Sequence, residues 1–374
     1  MISGGGTGGH VYPALAVVDA LTADGGPPAA IRWIGGEGGI EQDLVTRAGL
    51  PFEAIPAGGL HGMSPLTVIR NSARLARGLG RALQIVSNWR PDALFITGGF
   101  VGVPVALACW LKRAPILVFL PDIEPGWAIK FLSVFATRIA VTAEASRRWL
   151  PARKMAVTGY PLRPELIEAR GQKQLALAHF SLDAARKTIL FAGGSKGAQS
   201  LNRAWSALLD QVLDRWQVIH ISGTLDTGAA QMRREQLSEE RKAHYKLFPY
   251  LHSKDMGLAL AAADVVVSRS GASTLGEYPL MGLPAILVPY PFAWRYQKVN
   301  ADYLAEHGAA VRLDNDKLGD ELLSTLEHLL SDETRLNEMQ RRASSLARPQ
   351  AAHAIAAQLR ELAGYAETDA KGRA

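Results

Sequence analysis

A single cysteine, Cys109, occurs in 374 residues, so no internal disulfide can staple this chain and a disulfide-dense secreted scaffold is excluded. Cys109 lies in an apolar run and reads as a small buried hydrophobe in a reducing compartment. Long hydrophobic runs are also missing: the stretch from Val101 to Leu111 stops at Lys112, well short of the roughly 18 apolar residues of a membrane span. No basic leader followed by an apolar core opens the sequence, so a cytoplasmic protein is expected, with a membrane surface still open to it. Charged residues are few, at 20%, while 48% are hydrophobic and the mean hydropathy is +0.03, which excludes wholesale disorder.

At about 150 residues per domain, the length predicts two domains. Glycine is abundant, 36 residues against about 26 at average usage, and the excess clusters in short loops without a period, so collagen-like and low-complexity readings fall away. The net charge is +6, and residues 1–160 hold 15 Lys and Arg against 10 Asp and Glu, which places +5 of it in the front half.

Apolar runs of strand length alternate with amphipathic stretches of helical length. Ile31 to Ile34, Ala93 to Thr97, Ile116 to Leu120, Ile139 to Thr142 and Met155 to Thr158 form one series. Thr188 to Ala192, Gln217 to Ser222, Val265 to Ser268 and Ala285 to Val288 form a second. The alternation predicts an α/β fold of parallel sheets covered by helices. The expected division is an N-terminal domain over 1–163, a C-terminal domain over 164–345, and a C-terminal helix over 346–374 returning to the first domain, with a linker in Pro161 to Lys187. Glu367 to Ala374 reads as a frayed tail. Only Met1, Ile2 and Ser3 precede the first glycines, so the first strand should be short, as in a chain that begins late.

Three glycine-rich turns link apolar runs to helical patterns: Gly4 to His10, Gly98 to Gly102, and Gly193 to Gly197. Glycine there allows positive φ and close approach of a phosphate to the amides, and the helix N-terminus adds about half a positive charge. The first and third loops, 189 residues apart, look like anion cradles, each opening its own nucleotide-fold half, with a ligand cleft expected between the halves. Gly4, Gly6 and Gly9 satisfy G-x-G-x-x-G, a weak pattern that structural turns also satisfy; a dinucleotide reading stays open, with Glu37 as its ribose carboxylate. No Walker A pattern occurs, which disfavours a phosphoryl-transfer ATPase.

Gly5 to Ala16, Gly193 to Ala198, and Ser268 to Glu277 followed by Gly282-Leu283-Pro284-Ala285 carry a resemblance. In order and over most of the chain, they resemble the MurG family of UDP-N-acetylglucosamine:undecaprenyl-pyrophosphoryl-muramoyl-pentapeptide N-acetylglucosaminyltransferases. The resemblance implies the GT-B fold, two Rossmann-like domains facing across a cleft. It implies an inverting transferase of peptidoglycan synthesis, converting lipid I to lipid II, peripheral on the cytoplasmic face of the cell membrane. It makes Glu277 the ribose ligand and places Ala272, Ser273, Thr274, Leu275 and Gly276 around the nucleotide. Leu251 becomes a uracil-side contact, Ser195 a phosphate contact, Arg163 the partner of the leaving diphosphate, and Gln297 a sugar-hydroxyl ligand.

Each residue also has a plainer reading. Thr274 and Glu277 fit a helix capping box, and Arg163 fits a solvated linker charge. His10 is proposed as general base or orienter of the acceptor hydroxyl; alternatively it holds its loop by a backbone hydrogen bond. Thr7, Gly8 and Gly9 are expected near the acceptor diphosphate or donor sugar. The chain departs from the family on this side: Phe100 replaces a tyrosine, and Phe119, Leu120, Pro121 and Asp122 stand where the family has His-Glu-Gln-Asn. Tyr296 and Lys298, beside Gln297, differ too.

No cofactor or metal is expected, since helix dipoles and Arg163 can supply the charge; Asp314-Asn315-Asp316 reads as a solvated turn far from the motifs. Arg70, Arg74, Arg77 and Arg81 form one helical face beside Leu60, Met63, Leu66, Val68 and Ile69, which suits an anionic membrane surface better than nucleic acid. The expected partners are therefore UDP-N-acetylglucosamine, a lipid-linked muramoyl-peptide acceptor and that surface. A UDP-sugar epimerase or hydrolase, and a non-catalytic nucleotide-sugar-binding protein, are the competing readings.

Overall fold

The computed structural model describes residues 1–23, 30–58, 65–194, 197–291 and 296–365. The chain divides into two compact units, Met1–Leu162 together with the chain from Pro349 onward, and Arg163–Arg348.

The first unit alternates β1 (Ile2–Gly4), α1 (Gly8–Ala23), β2 (Trp33–Gly36), α2 (Glu41–Arg47), β3 (Phe52–Ile55), α3 (Pro65–Trp89), β4 (Leu94–Gly98), α4 (Gly102–Leu111), β5 (Ile116–Leu120), α5 (Trp127–Phe135), β6 (Arg138–Val141) and β7 (Met155–Val157). Its seven strands pair in the order β3-β2-β1-β4-β5-β6-β7, all parallel. Leu94–Gly98 and Ile116–Leu120 are buried at every position, as strands covered on both faces must be. The chain leaves and returns: α16 (Ala351–Leu362) lays Ala352, Ile355 and Ala356 on α1, where Arg360 donates to the Leu21 carbonyl at 2.8 Å and Glu361 pairs with Arg138. The small side chains of that face let the two helix backbones approach closely.

The second unit runs α6 (Pro164–Glu168), α7 (Lys173–His179), β8 (Thr188–Ala192), α8 (Gln199–Leu213), β9 (Gln217–Ile221), α9 (Thr227–Glu235), α10 (Glu239–Ala243), β10 (Tyr245–Phe248), α11 (Ser253–Ala262), β11 (Val265–Ser268), α12 (Thr274–Met281), β12 (Ala285–Leu287), α13 (Tyr296–Glu306), β13 (Ala310–Arg312), α14 (Leu318–Ser331) and α15 (Glu333–Ser345). Six parallel strands pair as β10-β9-β8-β11-β12-β13. The boundary between the units falls inside Pro161 to Lys187, between Leu162 and Arg163, and the rest of that segment is folded into the second unit: α6 and α7 pack on α11, and buried Gln217 fastens the approach to β8 through the Asp183 and Arg186 carbonyls. Asp264 completes that anchor, accepting from the Thr188 amide at 2.8 Å and from Lys173 at 2.7 Å. The polar composition that suggested a linker is that of a hydrogen-bonded anchor. The proposed tail, Glu367 to Ala374, lies outside the described residues.

In both units the strand order reverses beside the first strand of the series, between β1 and β4 and between β8 and β11. Crossovers leave such a point toward opposite faces, so the turns after those strands splay and leave room for a ligand. Three of the turns are the glycine-rich loops and the fourth is Arg269 to Ser273.

Trp205 is fully buried in the second core and stacks on Phe191 at 4.2 Å. Trp205→Ala is expected to cost about 3–5 kcal/mol, read as a lowered midpoint in chemical unfolding.

Candidate functional site

In the first unit, β1 and β4 bring the first two glycine loops together. His10 Nδ1 lies 2.9 Å from the Gly5 carbonyl oxygen and 3.4 Å from Thr7 Oγ1. A carbonyl only accepts, so in the neutral ring Nδ1 carries the proton and Nε2 keeps its lone pair. The plainer reading of His10 as a loop anchor is therefore built in, and it leaves the other nitrogen in the form a base requires. The ring lies against Gly98, where a Cβ would come within 2.8 Å of Nε2 and Cδ2 and where φ is +127°. Only glycine fits that position. Thr7 precedes α1, and Gly8 and Gly9 open it, so their amides stand at the positive end of a 16-residue helix.

Glu37 does not sit beneath the loop. It is half exposed, with Arg74 at 3.5 Å, whereas the carboxylate under the loop belongs to Glu41, which accepts from the Gly6 amide at 3.0 Å. One amide of the expected anion cradle is thus already occupied.

Phe119 and Leu120 are core residues of β5, Phe119 meeting Tyr160 edge-on at 6.1 Å. Pro121 is buried too, its carbonyl accepting from Thr142 Oγ1 at 2.8 Å, so Asp122 alone of that quartet is a half-buried polar side chain. Two residues on, Glu124 is a buried carboxylate 3.8 Å from Lys130, a group that sequence reading passed over.

In the second unit, Arg163 reaches Ser253 Oγ at 3.0 Å and Glu277 Oε1 at 3.7 Å, so the two side chains assigned to diphosphate and ribose meet. Arg163 is no solvated linker charge: 14% of its side chain is exposed. Nor is Glu277 a capping-box partner. The helix starts one residue earlier than that box needs, with Ser273 as N-cap, and Thr274 Oγ1 donates to the Gly271 carbonyl at 2.7 Å. Burial pushes the Glu277 carboxyl above its usual range, opposed by the Arg163 guanidinium and the Ser273 hydroxyl.

Leu251 is buried just ahead of α11, two residues before Ser253. Ala272 to Gly276 form the turn and first residues of α12, held by the Ser270 hydroxyl on the Gln297 carbonyl at 2.7 Å and Asn300 Nδ2 on the Ser270 carbonyl at 3.1 Å. Gln297 Oε1 accepts from the Tyr290 amide at 2.8 Å, which turns its amide nitrogen into the group able to meet a hydroxyl. Ser195 lies outside the described residues. The third loop is buttressed by Asp226, which a Cβ on Gly197 would approach to 2.6 Å, and by the chain Asp226–Asn202–His220–Tyr245. Burial lowers the His220 pKa to about 3, so that ring is a neutral strut.

Asn315 is not remote from the motifs. Its Oδ1 accepts from Arg269 Nη1 at 3.0 Å and Ser200 Oγ at 2.9 Å, and Arg269 also reaches the Val288 and Pro289 carbonyls. Asp314 pairs with Arg312, not with a cation site. Arg269, which the sequence analysis left unassigned, thereby ties the turns after β11 and β12 to the start of α8.

Of the basic face on α3, Arg74 and Arg81 pair with Glu37 and Glu53, while Arg70 and Arg77 are exposed. Leu60 and Met63 lie outside the described residues. An exposed apolar surface occurs on α4 and α5, where Trp110, Leu111, Phe131 and Val134 are 45–68% exposed. Trp110 and Phe131 both contact Phe135; Lys112 and Arg113 follow α4, Lys130 precedes Phe131 in α5, and Lys154 donates to the Val134 carbonyl. No described helix is long and apolar enough to cross a membrane.

An ionised Glu277 can accept both ribose hydroxyls. Glu277→Ala should weaken UDP binding about 10- to 100-fold in calorimetry. Because its pKa is raised, UDP affinity should start to fall at a higher pH on acidification than an ordinary glutamate dictates, and Glu277→Gln should abolish that dependence.

Comparisons with known proteins identify the family and the fold. Residues 1–141 match the glycosyltransferase family 28 N-terminal domain and residues 188–355 its C-terminal domain. A UDP-N-acetylglucosamine--N-acetylmuramyl-(pentapeptide) pyrophosphoryl-undecaprenol N-acetylglucosamine transferase of Roseiflexus sp. is 40% identical, over 94% of this chain and 92% of its own length. Its namesake in Bacillus subtilis is 34% identical over 96% and 98%. The crystal structure of Acinetobacter baumannii MurG superposes with a TM-score of 0.74 at 26% identity, covering 96% of this chain and 99% of that one. A Neisseria meningitidis UDP-GlcNAc 2-epimerase bound to UDP-GlcNAc shares the fold alone, with a TM-score of 0.68 at 13% identity over 96% and 99%. With its two Rossmann-like units of GT-B type, the chain belongs to glycosyltransferase family 28, among the MurG N-acetylglucosaminyltransferases.

Proposed function

We propose that this protein transfers N-acetylglucosamine from UDP-N-acetylglucosamine to a lipid-linked muramoyl pentapeptide, with inversion, at the inner membrane surface. Near-full-length identity of 40% with a transferase of that name carries the reading, and the Arg163–Glu277 contact supports its donor side. Glu277 accepts the ribose hydroxyls, the backbone at Leu251 meets the uracil edge, and Gln297 donates its amide N–H to a sugar hydroxyl. The first-turn amides of α12 face the diphosphate.

As the acceptor hydroxyl attacks the anomeric carbon, its proton passes to His10 Nε2 and the glycosidic bonding pair leaves with UDP. Arg163 then meets the charge that develops on the departing diphosphate, the point at which a fixed cation lowers the barrier. Thr7, Gly8 and Gly9 stand for the acceptor's own diphosphate, with Asp122 as the remaining polar side chain of its segment.

UDP release measured with and without lipid-linked acceptor tests the assignment. Acceptor-dependent release is expected; release without acceptor would indicate an epimerase or hydrolase, and UDP binding without release a binding protein. His10→Ala should lower turnover about 10²- to 10⁴-fold with donor affinity nearly unchanged.

Membrane contact is better supported by the Trp110–Phe131 surface than by the α3 arginines, half of which are neutralised by acids. Exposed aromatic rings with cations beside them in the chain suit an anionic interface. Trp110→Ser combined with Phe131→Ser should reduce sedimentation with phosphatidylglycerol vesicles while UDP binding stays at the wild-type level; unchanged sedimentation would refute this surface.

A further inference from the structure

Glu41, the first residue of α2, is 2% exposed. Its Oε2 accepts from the Gly6 amide at 3.0 Å and its Oε1 from the Gly36 amide at 2.9 Å. Glycines surround the carboxylate: a Cβ would come within 2.2 Å of it at Gly5 and 2.3 Å at Gly39. The two amide hydrogen bonds offset the cost of burying that polar group.

The Gly6 N–H belongs to the same peptide plane as the Gly5 C=O, and in a trans peptide the two point in opposite directions. Glu41 holds the N–H on one side; on the other, the carbonyl accepts from His10 Nδ1 at 2.9 Å. Between two glycines this plane has little steric resistance to turning over, since both flanking residues tolerate positive φ, and Gly6 already adopts +87°. Turned over, the plane would offer an N–H to Nδ1, and the ring would have to place its proton on Nε2.

We infer that Glu41 is a positioning residue, which locks the Gly5–Gly6 peptide so that His10 is held as the Nδ1-protonated tautomer with Nε2 ready to take a proton. The inference rests on the role of His10 given above for its kinetic consequence, but the tautomer itself can be read without turnover.

The test uses the full-length protein with ¹⁵N-labelled histidine, the His10 signals being assigned by their loss in His10→Ala. The wild type should show Nδ1 protonated and Nε2 bare. Glu41→Met, which keeps the length and removes both acceptors, should shift the ring toward the other tautomer. It should also lower kcat about 10- to 100-fold, with the calorimetric Kd for UDP within about twofold. Glu41→Gln, able to hold only one of the two amides, should lie between. Glu41→Met combined with His10→Ala should be no slower than His10→Ala alone, because the lock has nothing left to act upon. An unchanged ring spectrum in Glu41→Met, or two costs that multiply, would overturn the proposal. If circular dichroism shows Glu41→Met unfolded, Glu41→Gln decides: a partial shift supports the lock, and a wild-type spectrum with wild-type turnover overturns it. Wild-type turnover in His10→Ala would remove the role of His10 and leave the lock to stand or fall on the spectrum.

Discussion

The reversal of strand order between β1 and β4, and again between β8 and β11, is the constraint from which the rest follows. Neighbouring strands at such a point send their chains to opposite faces of the sheet, so two turns end side by side with nothing above them. Backbone must then pass within contact distance of side chains from the adjacent turn. Gly98 against the His10 ring is glycine for that reason, and any Cβ there would push away the group that the turn exists to hold.

The two units use this geometry with different electrostatics. The second unit presents cations: Arg163 is fixed by Ser253 and Glu277, and Arg269 by carbonyls, Asn315 and Ser200. A guanidinium held in this way loses little freedom on meeting an anion. The first unit instead places a carboxylate, Glu41, behind its glycine loop and spends an amide upon it. That choice takes the Gly6 amide out of the anion cradle and makes the loop a rigid mount for one imidazole, leaving the amides at the start of α1 for an anion.

Much of this was legible in the sequence, and what was missed has a common cause. Continuous apolar runs such as Ile116 to Leu120 announced buried parallel strands, but β3, β10 and β13, each with partly exposed residues at a sheet edge, carry too little apolar signal to be read. Ser268 to Glu277 identified the donor turn because its small residues and its glutamate are chemically distinctive in order. Passing over Glu41, and setting Asn315 apart from the motifs, were errors of distance: sequence spacing cannot show which carboxylate turns inward or which turn folds back beside Arg269. Pro161 to Lys187 contains the boundary between the units but is mostly folded, because buried polar anchors and solvated linkers share a composition.

The central claim, that the donor nucleotide is held by the second unit through the turn after β11 and the segment leading into α11, is tested most directly by hydrogen–deuterium exchange with and without UDP-N-acetylglucosamine. Slowed exchange in Ser268–Glu277 and Tyr250–Ser253 is the predicted result. Exchange left unaltered in Ser268–Glu277, with the sugar nucleotide shown bound in the same sample, would contradict the account.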